Sequence, residues 1–439
     1  MYLPPNVHAC IDALEREGFS CYAVGGCVRD ALLGLTPHDY DLCTAAKPET
    51  IARIFSDYTL VRSGEKHGTI GVVIDAEVYE ITTYRTEGDY TDNRHPGWVE
   101  FVDDITLDLS RRDFTVNAMA YSPIRGYADP FGGRQDLQNG VLRCVGDPQK
   151  RFAEDALRIL RGVRFSVRYG LQVEQSTKTA MFALAPLMEH LARERVFDEL
   201  CKLLPLVNAA DLVDFAPVLT QVIPELAPLI GFDQRNSHHR HDIFVHTAHV
   251  VERTPKDLAL RWAALLHDIG KPACFSLDLQ GQGHFYGHAK MGARIADQIL
   301  LRLKASTALR TRVTLLIEQH MSPLQPDKKL LRRRLSRLGS EATGQLLALQ
   351  EADMGSKSTD AQTFSEIRQL LQQIQQENAC LSIRDLRING HDLMRLGYSG
   401  PAIGQALQFL LEQVLDEQVE NEKEPLLQAL RQRQTETCN

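Results

Sequence analysis

The chain has 439 residues, of which 44% are hydrophobic and 24% charged, and a formal net charge of −8. That length exceeds a single core and implies roughly two to four domains. The composition excludes large-scale disorder, and nine cysteines without C-x-x-C pairs exclude a disulfide framework or a zinc ribbon.

Charges arrive by position 12 and no long apolar run precedes them, so neither a signal peptide nor a membrane span is expected, and the protein is expected in the cytoplasm. The negative balance does not exclude a nucleic-acid partner, because phosphate contacts are local. Between Arg143 and Arg168 seven Lys/Arg face three Asp/Glu, and between Arg302 and Arg337 ten face two.

Residues 7–17 read as an amphipathic helix leading into a strand at Cys21–Val24. Gly25-Gly26 turns the chain, a helix from Val28 ends at Gly34, and Thr36-Pro37 returns it into an expected strand over Asp39–Leu42. Glycines let a ligand approach the backbone, and the free N–H groups of a helix start attract anions. Asp39 and Asp41, at i and i+2, project from one face of a strand, where carboxylate oxygens can hold a divalent metal. Alone, a Gly-Gly turn is a turn and an Asp-x-Asp is a solvated edge; within seventeen residues they point to metal and triphosphate sharing one site.

This combination resembles the nucleotidyltransferases of the DNA polymerase β superfamily, and specifically the class II tRNA nucleotidyltransferases, the CCA-adding enzymes. The resemblance implies an α/β head with a polymerase β-like mixed sheet, Mg²⁺ at Asp39 and Asp41, and triphosphate at Gly25, Gly26 and Arg29. A helix over 47–55 and strands over 68–74 and 78–84, joined by an acidic turn at 75–77, continue the α/β alternation. Glu80 is either the third carboxylate of the superfamily or an exposed position on a half-buried strand. The polar run 85–96 matches the family's flexible loop. Asp108-Leu-Ser-Arg111-Arg112-Asp113-Phe114-Thr115 closely matches its second motif, in which an arginine reaches the triphosphate, and Arg111 and Arg112 are the two residues for that role. Residues 136–145 are expected to complete the sheet, ending a head at 1–146.

A strongly periodic helix is expected over 150–165, carrying Glu154, Asp155, Arg158, Arg161 and Arg164 with Leu157, Leu160 and Val163 opposite. A carboxylate accepts from an exocyclic amine and a guanidinium donates to ring acceptors. Cytosine and adenine present that pattern, whereas uracil and guanine present a ring N–H and a carbonyl. Asp155 and Arg158 thus form a protein-borne template for C and A, which corresponds to the family's Glu-Asp-x-x-Arg motif. There the later arginines, Arg161 and Arg164 here, hold phosphate. Glu194 and Arg195 lie in a stretch similar to the family's neck motif and are read as structural. A helical neck and body is placed at 147–230.

Near 231 the composition changes. His246, Trp262-Ala-Ala-Leu-Leu-His267-Asp268-Ile-Gly-Lys271, His288, His320 and Asp353 follow in order. His267-Asp268 at the end of an apolar helix closely resembles the HD phosphohydrolase signature, which implies one or two transition-metal ions that activate water. His246, His267, Asp268 and Asp353 are its expected ligands, with His288 and His320 at a second metal position or at phosphate. This HD domain is placed at 231–355, and a helical tail resembling the tRNA-gripping tail of bacterial members at 356–439. The basic helix 327–337 reads either as an RNA contact or as a solvated face.

The resemblance covers essentially the whole chain and implies addition of C, C and A to the 3′ end of tRNA from CTP and ATP. Poly(A) polymerase, or an enzyme adding only CC or only A, shares the motifs. A rival of another class is an HD phosphohydrolase whose head only docks RNA.

Overall fold

Helix α1 (Pro5–Arg16) carries its proline in the first turn, where the missing N–H is not needed, and buries Val7, Cys10, Ile11 and Leu14. It leads through β1 (Cys21–Val24), α2 (Gly26–Leu32), β2 (Leu42–Thr44), α3 (Pro48–Ile54) and β3 (Thr59–Val61) to β4 (Thr69–Ile74) and β5 (Glu77–Thr83). Asp75 and Ala76 join the last two with φ of 52° and 65°, so both central residues of the hairpin loop are left-handed. Strands β6 (Arg85–Glu87) and β7 (Val99–Phe101) pair with each other, and α4 (Ile105–Ser110), β8 (Ala120–Ser122) and β9 (Gly126–Ala128) follow.

A computed structural model describes residues 1–88, 99–235, 242–355, 358–377 and 379–437; most of the expected 85–96 loop lies outside them. Seven strands form a mixed sheet in the order β3-β4-β5-β2-β1-β8-β9, in which only β2 and β5 run parallel. Val24, Cys43, Tyr84, Leu109, Ala118, Ala120 and Val145 cluster in its core.

Three local expectations are corrected. The carboxylates precede their strand: β2 begins at Leu42, although Val24 N–H still donates to the Asp41 carbonyl at 3.0 Å and holds Asp41 beside β1. The stretch 136–145 does not complete the sheet. It forms α5 (Gly133–Gln138) and β10 (Val141–Leu142), the latter pairing parallel with β11 (Gln172–Val173), and β8 and β9 complete the sheet instead. The periodic stretch is two helices, α6 (Pro148–Glu154) and α7 (Leu157–Tyr169), because Asp155 is extended at φ −142° and ψ 100° and its Oδ1 accepts from Leu157 N–H at 3.0 Å. A side chain that caps the following turn breaks a helix without disturbing its apolar periodicity.

Helices α8 (Gln175–Leu184), α9 (Arg193–Leu203), α10 (Ala209–Asp214) and α11 (Ala216–Val222) complete a first unit comprising Met1–Ala227 with Arg302–Ala305. The second comprises Pro228–Leu301 with Ser306–Asn439. It begins with α12 (Ile243–Arg253) and α13 (Leu258–Leu266), whose residues 260–266 are all buried. Then come the short hairpin β12 (Ser276–Leu277) and β13 (Gly283–His284), α14 (His288–Arg302), α15 (Thr307–Gln319), α16 (Lys328–Met354) and α17 (Ser358–Gln376). Gly339, at φ 80°, breaks α16 internally. The basic part of α16 is ion-paired: Lys328 and Arg332 meet Glu377, and Arg333 Nε donates to Asp416 at 2.7 Å. Helices α18 (Gly390–Arg395), α19 (Pro401–Leu415) and α20 (Lys423–Thr437) enclose a separate apolar cluster that includes Ile388, Leu393, Leu410, Leu426 and Leu430.

Candidate functional sites

Asp39, Asp41 and Glu80 line one cleft of ≈740 Å³, with His38, Tyr40 and Val78 among its walls. All three carboxylates are exposed. Glu80 lies on β5 opposite Gly71, and β5 runs alongside β2, which is how a residue some forty positions downstream faces the paired aspartates. Crowding by surrounding protein raises the Asp41 carboxyl above its usual range even though one face stays open; Arg112 opposes the rise and Asp39 adds to it. A donor set made only of carboxylate oxygens suits a hard cation such as Mg²⁺, which would relieve that repulsion.

Beside Asp41 the chain turns at Gly25, with φ 75° and ψ −122°, a conformation that excludes a side chain. A Cβ there would stand 2.7 Å from Arg112 Nη1. Glycine therefore brings the Arg112 guanidinium against the turn. The fully buried Asp108 aims both arginines: its Oδ1 accepts from Arg111 Nε and Nη2 at 3.0 and 2.8 Å, and its Oδ2 lies 3.6 Å from Arg112 Nη2. Of the pair, Arg112 is the one placed at Gly25.

Arg29 is buried and enclosed. It donates to Asp30 Oδ1 from Nε and Nη2, to Tyr169 Oη at 2.5 Å and to Asn117 Oδ1, and its guanidinium lies 4.3 Å from the Tyr169 ring centroid. Asn117 in turn donates to Asp113 Oδ1 at 3.0 Å, and Asp113 Oδ2 accepts from Arg161 Nε at 2.8 Å. Burial would raise Asp113, but the Arg161 charge and the hydrogen bond from Asn117 outweigh it and hold the carboxyl at about 2. Arg164 Nε donates to Glu199 Oε2 at 2.6 Å, with both side chains under a tenth exposed. The structure thus ties Arg161 and Arg164 to carboxylates of the fold.

Asp155 and Arg158 stand on either side of the helix break. Asp155 Oδ2 accepts from Arg195 Nη2 at 2.8 Å; Arg158 donates to Glu154 Oε2 at 2.7 Å and to the carbonyls of Arg151 and Arg111 at 3.0 and 3.1 Å. Arg195, read from the sequence only as part of the neck, is therefore a direct partner of Asp155. Tyr169 carried no motif that could have singled it out, and Glu199 lay in the stretch similar to the family's neck motif without a role of its own.

The second cluster sits at the end of α13, whose residues 260–266 are all buried. His267, His288 and His320 each donate Nδ1–H to the carbonyl three residues earlier, at 2.8, 2.8 and 2.6 Å, which turns each Nε2 inward. His267 Nε2 lies 3.2 Å from Asp268 Oδ2, His288 Nε2 3.5 Å from Asp268 Oδ1, His288 Nε2 3.3 Å from His320 Nε2, and His246 Nε2 2.9 Å from Asp353 Oδ1. All six expected ligands are together. Among the described residues, groups of three ligand atoms within 4.8 Å of one another occur only here, as His246–His267–Asp268 and Asp268–His288–His320.

Neither His267 Nε2 nor Asp268 Oδ2 has a partner with hydrogen-bond geometry, although Lys271 Nζ lies 2.7 Å from Asp268 Oδ2. Buried orphan groups of this kind fit a transition-metal ion. Burial lowers His267, but Asp268 and Asp353 outweigh it and lift the imidazole to about 10, while burial and the His267 charge lower His320 to about 4. Sequence reasoning gave no role to Gly270, where a Cβ would stand 2.4 Å from the His288 carbonyl oxygen. The missing side chain lets α14 deliver His288 to Asp268.

Comparison with known proteins identifies the family. The family described as "Poly A polymerase head domain" matches residues 21–143, and "tRNA nucleotidyltransferase domain 2" matches 285–430. The CCA-adding enzyme of Geobacillus kaustophilus is 31% identical over 430 residues, covering 96% of this chain and 95% of that one. The chain belongs to the CCA-adding enzymes. The CCA-adding enzyme of Leuconostoc mesenteroides is 42% identical over 250 residues, 56% of this chain and 62% of that one. The crystal structure of the Bacillus stearothermophilus CCA-adding enzyme in complex with CTP aligns at TM-score 0.73 and 27% identity, covering 99% and 100% of the two chains. Among the described residues of this CCA-adding enzyme, no helix is long and apolar enough to cross a membrane.

Proposed function

We propose that this CCA-adding enzyme is of class II and extends the 3′ end of tRNA with C, C and A in the cytoplasm, using CTP and ATP and releasing pyrophosphate. The observation that carries the reading is the cleft in which Asp39, Asp41 and Glu80 meet beside the Gly25–Arg112 turn. The RNA 3′-hydroxyl oxygen attacks the α-phosphorus, and the bond from that phosphorus to its bridging oxygen breaks. Asp39 and Asp41 would hold Mg²⁺, which when bound lowers the pKa of an RNA hydroxyl and offsets phosphate charge. Glu80 stands across the cleft as the third carboxylate. Gly25 and Gly26 present backbone to the triphosphate, Arg111 and Arg112 meet its charge, and Arg29 braces the turn from behind.

Asp155 and Arg158 read the base. For this they exchange Arg195 and Glu154 for the exocyclic amine and ring nitrogen shared by cytosine and adenine. Arg161 and Arg164 support that helix against Asp113 and Glu199 rather than reaching phosphate alone. Positioning and charge stabilisation are what phosphoryl transfer requires.

A second reading concerns the HD cluster. The convergence of His267 Nε2, Asp268 and the neighbouring imidazoles favours a metal-dependent phosphohydrolase centre held by His246, His267, Asp268, His288, His320 and Asp353.

The test is incubation of tRNA lacking its 3′ end with Mg²⁺ and each triphosphate, separately and together, resolved to one nucleotide. Addition of CCA and a stop is expected. Long A tails, or arrest after CC, would replace it with a sibling activity. Asp41→Ala should abolish addition and leave the HD centre intact; undiminished addition by that variant would refute the assignment of the cleft.

A further inference from the structure

Against the HD cluster lies a cavity of ≈410 Å³ that opens on His320 and Asp353. Its other walls are mostly apolar: Met321, Pro323 and Leu324 after α15, Met354 at the end of α16, and Phe364 on α17. Gln350 and Thr363 also line it, and the Gln350 amide is spent. Its Nε2 donates to the His320 and Ser322 carbonyls at 3.0 and 2.8 Å, and its Oε1 accepts from Leu324 N–H at 3.1 Å. Phe364 is packed into the unit's core, whereas Met321 and Met354 are 58% and 52% exposed at the rim. Solvent-facing methionines flanking an apolar floor form an adaptable surface for flat apolar groups.

We propose that this cavity is the organic-group subsite of the HD centre, so that the centre takes phosphate monoesters of a flat, apolar alcohol such as an aryl phosphate. The inference rests on the reading of the His–Asp cluster as a metal-dependent phosphohydrolase. The phosphate faces His320 and Asp353, and the ring lies between Met321, Met354 and Phe364. In the reaction a water oxygen attacks phosphorus, the bond from phosphorus to the ester oxygen breaks, and the leaving aryloxide takes up a proton from that water. The products are inorganic phosphate and the free alcohol, with no change of oxidation state. With Gln350 engaged on the backbone, a ring without polar edges takes no hydrogen bond from that amide on entering.

Phosphonates test this without turnover, because their carbon–phosphorus bond is not cleaved. Binding of phenylphosphonate and methylphosphonate to the Mn²⁺-loaded full-length protein is measured by calorimetry. Phenylphosphonate should bind about tenfold more tightly or better, as expected for burying one ring face. Met321→Gln with Met354→Gln should bring the two affinities within about twofold while leaving methylphosphonate binding and CCA addition unchanged. His267→Ala should abolish both. Equal affinities in the unaltered protein would overturn the subsite and leave the HD reading standing. Failure of both phosphonates to bind the Mn²⁺-loaded protein would overturn both readings, and phenylphosphonate binding that survives His267→Ala would detach the cavity from the centre.

Discussion

Glu199→Ala would leave the Arg164 guanidinium without its carboxylate in a place where 9% of the side chain meets solvent. The pair is joined at 2.6 Å, and Lys202, 4.0 Å from the other Glu199 oxygen, sits on the outer side of the pair. Removing one partner of a buried pair costs about 3–5 kcal/mol, because the remaining charge loses both its solvation and its counter-ion. The loss should be local to α7 and α9, the helices that carry the two residues. Hydrogen exchange followed by mass spectrometry resolves peptides of those helices. Their amides should exchange about two to nearly four orders of magnitude faster, at 1.36 kcal/mol per tenfold. Arg164→Met combined with Glu199→Leu should restore most of the protection, since an apolar pair of similar volume replaces the ion pair at little cost. A rise below about tenfold in the single variant would refute the argument. So would a double variant as unprotected as the single one. If the double variant folds with α7 protected but adds no nucleotide, Arg164 touches phosphate itself.

Four further outcomes follow from the geometry. Gly25→Ala forces a Cβ to within 2.7 Å of Arg112 and strains a positive φ, so nucleotide addition should fall by about a hundredfold with an unchanged circular dichroism spectrum, as primer-extension kinetics would show. Asp113 sits at about 2 in the folded chain against an ordinary 3.8. It therefore contributes about 2 kcal/mol above pH 4, and this is lost as pH falls from there toward 2; Asp113→Asn should remove that limb from acid-unfolding curves. Chelation should lower the thermal midpoint of the second unit and Mn²⁺ should restore it, whereas His267→Ala should be indifferent to both in scanning calorimetry. Gly270→Ala should weaken Mn²⁺ affinity at least tenfold by calorimetry, because its Cβ displaces the His288 backbone.

Reading the sequence found the residues whose chemistry is tied to a short local pattern. Gly25-Gly26 before a helix, Asp39-x-Asp41, and His267-Asp268 at the end of an apolar helix each leave a recognisable trace in the sequence. Partners separated by many residues left none. Tyr169 and Asp30, 139 residues apart, meet through a hydroxyl, and Arg195 reaches Asp155 across 40 residues. The break at Asp155 was invisible because the apolar periodicity continues across α6 and α7. What interrupts the helix is one carboxylate oxygen bonded two residues ahead. The extra sheet strands β8 and β9 were missed for a related reason: each is three residues long, too short for alternation to register.

The span of the HD cluster bears on biosynthesis. His246 and Asp353 touch although 107 residues separate them, and the ring closes only through α13, α14, α15 and α16. A chain still on the ribosome can finish the sheet of the first unit long before this ring can exist. Until α16 has emerged, the isolated imidazoles are mobile, low-affinity binders with no enforced geometry. If the proposed centre holds an ion, its acquisition is therefore a late event, open only to chains translated well past the nucleotidyltransferase head and closed to truncated products.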